Sequence, residues 1–249
     1  MPVTVTMKDE IVYPVRGKKD PAVGPVAVMV AMETDLGFVR RSMDIMGQPV
    51  CKIFSSRLYK GRCDHEDIAV VGPMMGAPYA AVVLEKLIVL GAQRILFFGW
   101  CGSIQPKVGI GDFVVPDRGV SEEGTSSHYP GPDSPPKPSG RLVKAIEKSL
   151  LRRAVSFQRG AVWSTDAPYR ETKKKVRLFQ EQGVLGVEME LSALFAVAHF
   201  RHVKLGALLV VSDELGSLRW KPGFKTQKFK QSRKIAAEVL RSTCQELTK

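Results

Sequence analysis

Short apolar runs recur along the chain: PVAVMVAM at 25–32, RILFFG at 94–99 beyond its leading Arg94, and VKLGALLVV at 203–211 beyond Lys204. A strand without polar alternation must be covered on both faces. Each run is followed by small or acidic residues and then by a stretch with helical spacing, which is how a chain supplies that cover. The feature restricts the fold to an α/β domain with helices on both faces of a largely parallel sheet.

The arm 1–24 is mixed in character and rich in Pro, Gly and Lys, and 25–249 read as one domain. The strand at 25–32 passes into a helix at ETDLGFVRRSM, whose acids come first and whose arginines come last, as the helix dipole prefers. A strand at 64–71 leads to GPMMGAPYAAVVLEKLIVLG, a glycine turn and an apolar-spaced helix. RILFFG is a buried strand and GDFVVPD a short one. Residues 122–140 hold five prolines and form a long surface loop of the kind that covers sites. A helix at 142–151, a strand RGAVWST, a Lys-rich loop around ETKKKVR, a helix at 188–199, the strand at 203–211 and a helix at 231–247 complete the chain.

Several function classes lose support. No apolar run reaches the ~20 residues of a spanning helix, and the N-terminus lacks a signal-peptide pattern, so a cytoplasmic protein without membrane partners is expected. Cys51, Cys63, Cys101 and Cys244 have no paired spacing, and His199 and His202 lack companion ligands, so free thiols and no metal are expected. The net charge of +12 comes without a nucleic-acid module or interleaved aromatics, which leaves surface composition or attraction of anionic metabolites. Neither a G-x-G-x-x-G after the first strand nor a Walker loop is present.

Two polar placements stand out. In GVEMELSALF, Glu188 and Glu190 flank Met189 at the start of an apolar helix, suited either to holding a diol or to complementing the helix dipole. In LLVVSDELG, Ser212 and Asp213 end a buried strand, where ligands of open α/β sheets gather; an acid there serves as a proton donor or as a helix cap.

Together with AMETDL, YKGR, GWCGSIQPKVGIGDFVVP, EGTSSHY and STDAPYRE, these elements resemble the nucleoside phosphorylase family from about residue 25 to 247. That family comprises purine and uridine phosphorylases and the methylthioadenosine/adenosylhomocysteine nucleosidases. The resemblance implies a three-layer α/β/α sandwich with a mixed, partly barrel-like sheet, and cleavage of the N-glycosidic bond of a nucleoside with a purine-like base. It implies Glu190, Met189 and Glu188 at the ribose, Asp213 as the acid for the base, and Trp163, Tyr169 and Ser212 around the base. Tyr13 falls where relatives place a His that reaches a neighbour's sugar, which implies a homo-oligomer, at least a dimer, in a family that forms trimers or hexamers. No cofactor is implied, phosphate being a co-substrate only in a phosphorylase.

The chain departs from the family at the phosphate site. Arginine positions fall on Asp35, Val50 and Phe97, and a hydroxyl position on Trp100, so the turn formed by Phe97, Gly99 and Trp100 lines a site stripped of its anion-binding side chains. Asp35 falls where nucleosidases carry the acid that activates water. Hydrolysis with Asp35 as base and Asp213 as acid is the expectation; a divergent phosphorylase and a nucleoside-binding paralogue without turnover are the alternatives.

Overall fold

Residues 26 to 30 are buried at every position, and side chains pointing to opposite faces enter different cores. In the computed structural model, which describes residues 10–129, 131 and 136–248, Ala27 and Met29 of β1 (Val26–Val30) face one apolar cluster while Val26, Val28 and Val30 face another. The two clusters lie on opposite sides of the sheet, as a strand period of two requires.

The elements follow in the order α1 (Glu33–Ser42), β2 (Cys51–Ile53), β3 (Ser56–Cys63), β4 (Glu66–Gly72), α2 (Ala77–Leu90), β5 (Arg94–Ser103) and β6 (Phe113–Glu122). Then come α3 (Gly140–Leu151), β7 (Phe157–Thr165), α4 (Lys173–Glu181), β8 (Gly186–Glu188), α5 (Leu191–Phe200), β9 (Lys204–Glu214), β10 (Lys221–Pro222) and α6 (Gln227–Leu247). Helices α2 and α5 pack over one face through Leu84, Leu87, Leu194 and Phe195. On the other, α1, α3 and α6 pack through Leu36, Val39, Ile146, Phe229 and Leu240.

The sheet is mixed, in the order β10-β9-β6-β7-β8-β5-β1-β4-β3-β2, and an additional β9–β5 pairing closes β5, β9, β6, β7 and β8 into a barrel. This is the three-layer, partly barrel-like sandwich that the resemblance implies. The β5–β9 pair is parallel, with Gly102 opposite Asp213, so the carboxyl ends of both strands open on the same side.

Local expectations shift at four places. The Lys-rich segment is not a loop: Thr172 accepts a bond from the Lys175 N–H and starts α4, whose Val176 and Phe179 are buried. Glu188 ends strand β8 rather than starting a helix, and α5 begins at Leu191. The strand at GDFVVPD continues to Glu122. YKGR lies in β3 of a β2–β3 hairpin that pairs with β4 at the sheet edge, where its irregular mixture of polar and apolar residues hid it.

Phe97 corrects a further expectation. It is fully buried beneath α2 and α5, where a Phe contributes about 1.5–3 kcal/mol through burial, and it does not line a ligand site. Gly99 gives its ring room, since a Cβ there would lie 2.8 Å from Phe97 Cε1.

Candidate active site

The β1–α1 turn, the ends of β5 and β9 and the β8–α5 junction surround a cavity of about 540 Å³. Its walls are largely apolar, with Met32, Met75, Met189 and Trp220 among them. Its polar groups are mainly acids and include Glu171, Glu190 and Asp213. Gly102 forms part of the floor, and a Cβ on it would come 3.1 Å from Asp213 Oδ2 and 2.6 Å from Leu215. The glycine therefore preserves the position of the acid.

The two glutamates of the Glu-Met-Glu element divide their work. Glu188 Oε2 accepts bonds from the Glu190 and Leu191 N–H groups at 2.8 Å each, and its other oxygen accepts from the Ser164 hydroxyl. It thus caps the first turn of α5, which carries the positive end of the helix dipole. Glu190 Oε1 accepts from the Gly76 N–H at 2.6 Å at the start of α2, and no bond from the described residues reaches Oε2. Burial raises both carboxyls above the ordinary range, and the charge of Glu190 raises Glu188 further. A buried acid with one oxygen anchored and the other free is suited to hydroxyl groups of a ligand.

Asp213 is held from two sides. Ser212 Oγ lies 2.6 Å from Oδ1, and the Trp220 indole donates to Oδ2 at 2.9 Å. Glu171, next to the 3-10 turn Pro168–Arg170, also faces the cavity; burial first and the charge of Asp213 second push its carboxyl up to about 7. Among the described residues no hydrogen bond or ion pair engages that carboxyl. Sequence reasoning passed over Glu171 because it heads a charge run, and over Trp220 and Phe224 because SLRWKPGF shows no periodicity. An arginine in α6, Arg233, was missed for a similar reason: on a basic amphipathic helix nothing singles it out.

Arg233 explains Asp35. The Asp35 carboxylate is buried, with Oδ1 accepting from Arg233 Nε at 2.6 Å and Oδ2 from the Trp100 indole at 2.5 Å. Arg233 also donates to Thr34 and lies over the rings of Trp100, Phe229 and Phe38 at 4.9, 5.2 and 5.3 Å. Burial pushes the Asp35 carboxyl up against the opposing effects of Arg233 and Trp100. Asp35 is absent from the cavity wall, and both its oxygens are engaged, so its expected role as base for water has no geometric support. Trp100 alone of this cluster reaches the cavity, with its ring edge-on to Phe229 at 4.9 Å.

The remaining expected residues separate. Met189, Tyr169 and Ser212 join the cavity, with Tyr169 fully exposed at its mouth. Trp163 does not: it is fully buried against Phe179, ring centres 4.6 Å apart, and cannot stack on a ligand. Tyr13 lines a second cavity, of about 560 Å³, with Glu85 and Arg201. Val50 is exposed outside both cavities. Arg40 stacks on Tyr59 at 3.7 Å, Arg41 lies over Phe38, and Arg57 pairs with Glu33; none lines the cavity beside Asp213. Among the described residues no group of three or more His, Cys, Asp or Glu comes together to hold a metal, and no helix is long and apolar enough to cross a membrane.

A barrel-containing α/β sandwich with its cavity at converging strand ends defines a class of small-molecule enzymes, and comparison with known proteins narrows it. The family model described as phosphorylase superfamily matches residues 25–249, and the chain belongs to that superfamily. It is 27% identical over 194 residues to a guanosine phosphorylase of Halorubrum lacusprofundi, covering 77% of this chain and 80% of that protein. It is 29% identical over 184 residues to a DeoD-type purine nucleoside phosphorylase of Caldanaerobacter subterraneus, covering 73% and 78%. The crystal structure of uridine phosphorylase from Vibrio fischeri superposes with a TM-score of 0.77 at 23% identity, covering 89% of this chain and 92% of that one. That last likeness concerns the fold.

Proposed function

We propose that the chain binds a purine nucleoside in the Asp213 cavity and cleaves its N-glycosidic bond with phosphate as the acceptor. The observation that carries this reading is Glu190, buried, anchored through one oxygen to Gly76 and open through the other, in the same cavity as Asp213. Glu190 accepts from the ribose hydroxyls beside Met189. Asp213 protonates the departing base, a step that contributes ~10²–10⁴-fold in comparable acid catalysis. Glu171 has a half-buried carboxyl without a partner among the described residues, and the N–H edge of a purine base is a donor that suits it.

Phosphate replaces the water of the first expectation for two reasons. The relatives compared by sequence are named as phosphorylases, and Asp35 is sealed against Arg233 and Trp100. As in the resembling family, we read the active unit as a homo-oligomer; Ile11, Val12, Tyr13 and Phe54 are exposed and suited to burial against a second copy.

A second reading, nucleoside binding without turnover, is favoured by Trp100, whose bulk stands where the resemblance puts a hydroxyl beside the phosphate. The test is to incubate the purified chain with purine and pyrimidine nucleosides, with and without phosphate, and to follow the free base by chromatography. Release of a purine only when phosphate is present supports phosphorolysis. Release without phosphate restores hydrolysis, and tight binding with no release selects the second reading.

A further inference from the structure

The chain doubles back on its own acid. After β9 ends, β10 returns antiparallel with Lys221 opposite Glu214 and Pro222 opposite Asp213. The Gly223 N–H bonds to Ser212 O at 2.9 Å, and Lys221 Nζ pairs with Glu214 at 3.0 Å. This return carries Trp220 over the cavity, with its indole N–H 2.9 Å from Asp213 Oδ2 and its ring 6.3 Å from that of Phe224. Trp220 is nevertheless 64% exposed. A large ring left that open adds little to the core, so its place at the mouth calls for another account.

An indole N–H can only donate, so it identifies Oδ2 as an acceptor. Oδ1 has a different neighbour. Ser212 Oγ lies 2.6 Å from it and also 3.2 Å from the Cys101 carbonyl. When Asp213 is ionised, the hydroxyl donates to Oδ1; when Oδ1 is protonated, the hydroxyl can turn its hydrogen to Cys101 and leave Oδ1–H free to donate. The surroundings of Oδ1 thus accommodate both protonation states, whereas those of Oδ2 suit an acceptor.

Resting on the nucleoside-cleaving reading above, we propose that Trp220 is a positioning residue for Asp213: its indole N–H reserves Oδ2 as acceptor and leaves Oδ1 to carry the proton for the departing base. As the C1′–N bond breaks, its electron pair passes to the base and the Oδ1 proton joins a ring nitrogen. A phosphate oxygen forms the new bond to C1′. Asp213 is left ionised between Trp220 and Ser212 and regains its proton from solvent.

The test compares wild type with Trp220→Phe, which keeps a ring and removes the N–H, on a 6-oxopurine nucleoside and on its N7-methyl derivative, whose cationic base departs without a proton. The expected result is that kcat for the unmethylated nucleoside falls about tenfold or more relative to kcat for the methylated one. An equal fall for both substrates overturns the proposal while leaving the cleavage reading intact. Absence of turnover of either by wild type overturns the cleavage reading, and the role in proton transfer with it. The contact itself is read separately from the Trp220 indole N–H resonance, assigned by its loss in Trp220→Phe. It is expected to move upfield in Asp213→Ala, and an unmoved resonance contradicts the hydrogen bond.

Discussion

Replacing Asp35 by Asn separates a structural from a chemical role for the residue on which hydrolysis depended. The carboxylate receives donors on both oxygens, Arg233 Nε at 2.6 Å and Trp100 Nε1 at 2.5 Å. An Asn of the same shape accepts from one and turns its own NH₂ toward the other. One buried donor is then orphaned, costing about 1–3 kcal/mol, and Arg233 loses its counter-charge, for which removal of a buried partner costs about 3–5 kcal/mol. The rings of Trp100, Phe229 and Phe38 lie over the guanidinium before and after the change and drop out of the difference, and the two costs overlap at Arg233, so they do not add in full. A net loss of about 3 kcal/mol lowers the Tm of a chain of this length by about 6 °C. Thermal unfolding followed by circular dichroism measures it. A Tm lowered by less than about 2 °C, together with abolished base release, would refute the structural assignment and return Asp35 to the chemistry.

Further expectations follow from the same geometry. Glu190→Ala, which removes the free oxygen beside Met189, is expected to raise KM for nucleosides about tenfold or more, as loss of a charged hydrogen bond does; unchanged KM and kcat would remove Glu190 from the ribose. Glu171→Gln is expected to change the ratio of kcat/KM between guanosine and adenosine, whose base edges differ in N–H donors; an unaltered ratio contradicts base reading by that carboxyl. Burial raises the Glu188 and Glu190 carboxyls above the ordinary glutamate range. The folded chain then holds protons that the unfolded chain releases, so their contribution to stability is full below the ordinary glutamate value of 4.5 and is lost as pH rises through the raised values. The urea midpoint is expected to fall from about pH 5 to pH 8, and less steeply in Glu188→Gln; a midpoint that rises across that range in wild type, or the same slope in Glu188→Gln, contradicts the assignment.

The sheet was legible because its strands are buried on both faces: β1, β5 and β9 read as apolar runs, and no other arrangement covers them. The β2–β3 hairpin was not, since an edge strand exposes one side and SRLYKGRC mixes polar and apolar residues without a run. Within the site, Asp213 and Glu190 could be found because each stands directly beside an apolar strand or helix. Which of Glu188 and Glu190 caps the helix and which keeps an oxygen for a ligand depends on where α5 begins, three residues later than the helical pattern suggests. Trp163 and Phe97 illustrate a different limit. An aromatic in a motif has the same letter whether it packs inward or stacks on a ligand, and the difference lies in Phe179 and in the helices above Phe97. Asp35 found its partner in α6, 198 residues along the chain, where sequence spacing carries no information.

The account turns on the fate of the sugar. Phosphorus-31 NMR of the wild-type chain with a purine nucleoside and phosphate distinguishes the outcomes directly. The account predicts that the inorganic phosphate signal falls as a sugar 1-phosphate signal rises, one for each base released. Free base accumulating with the phosphate signal unchanged would contradict it.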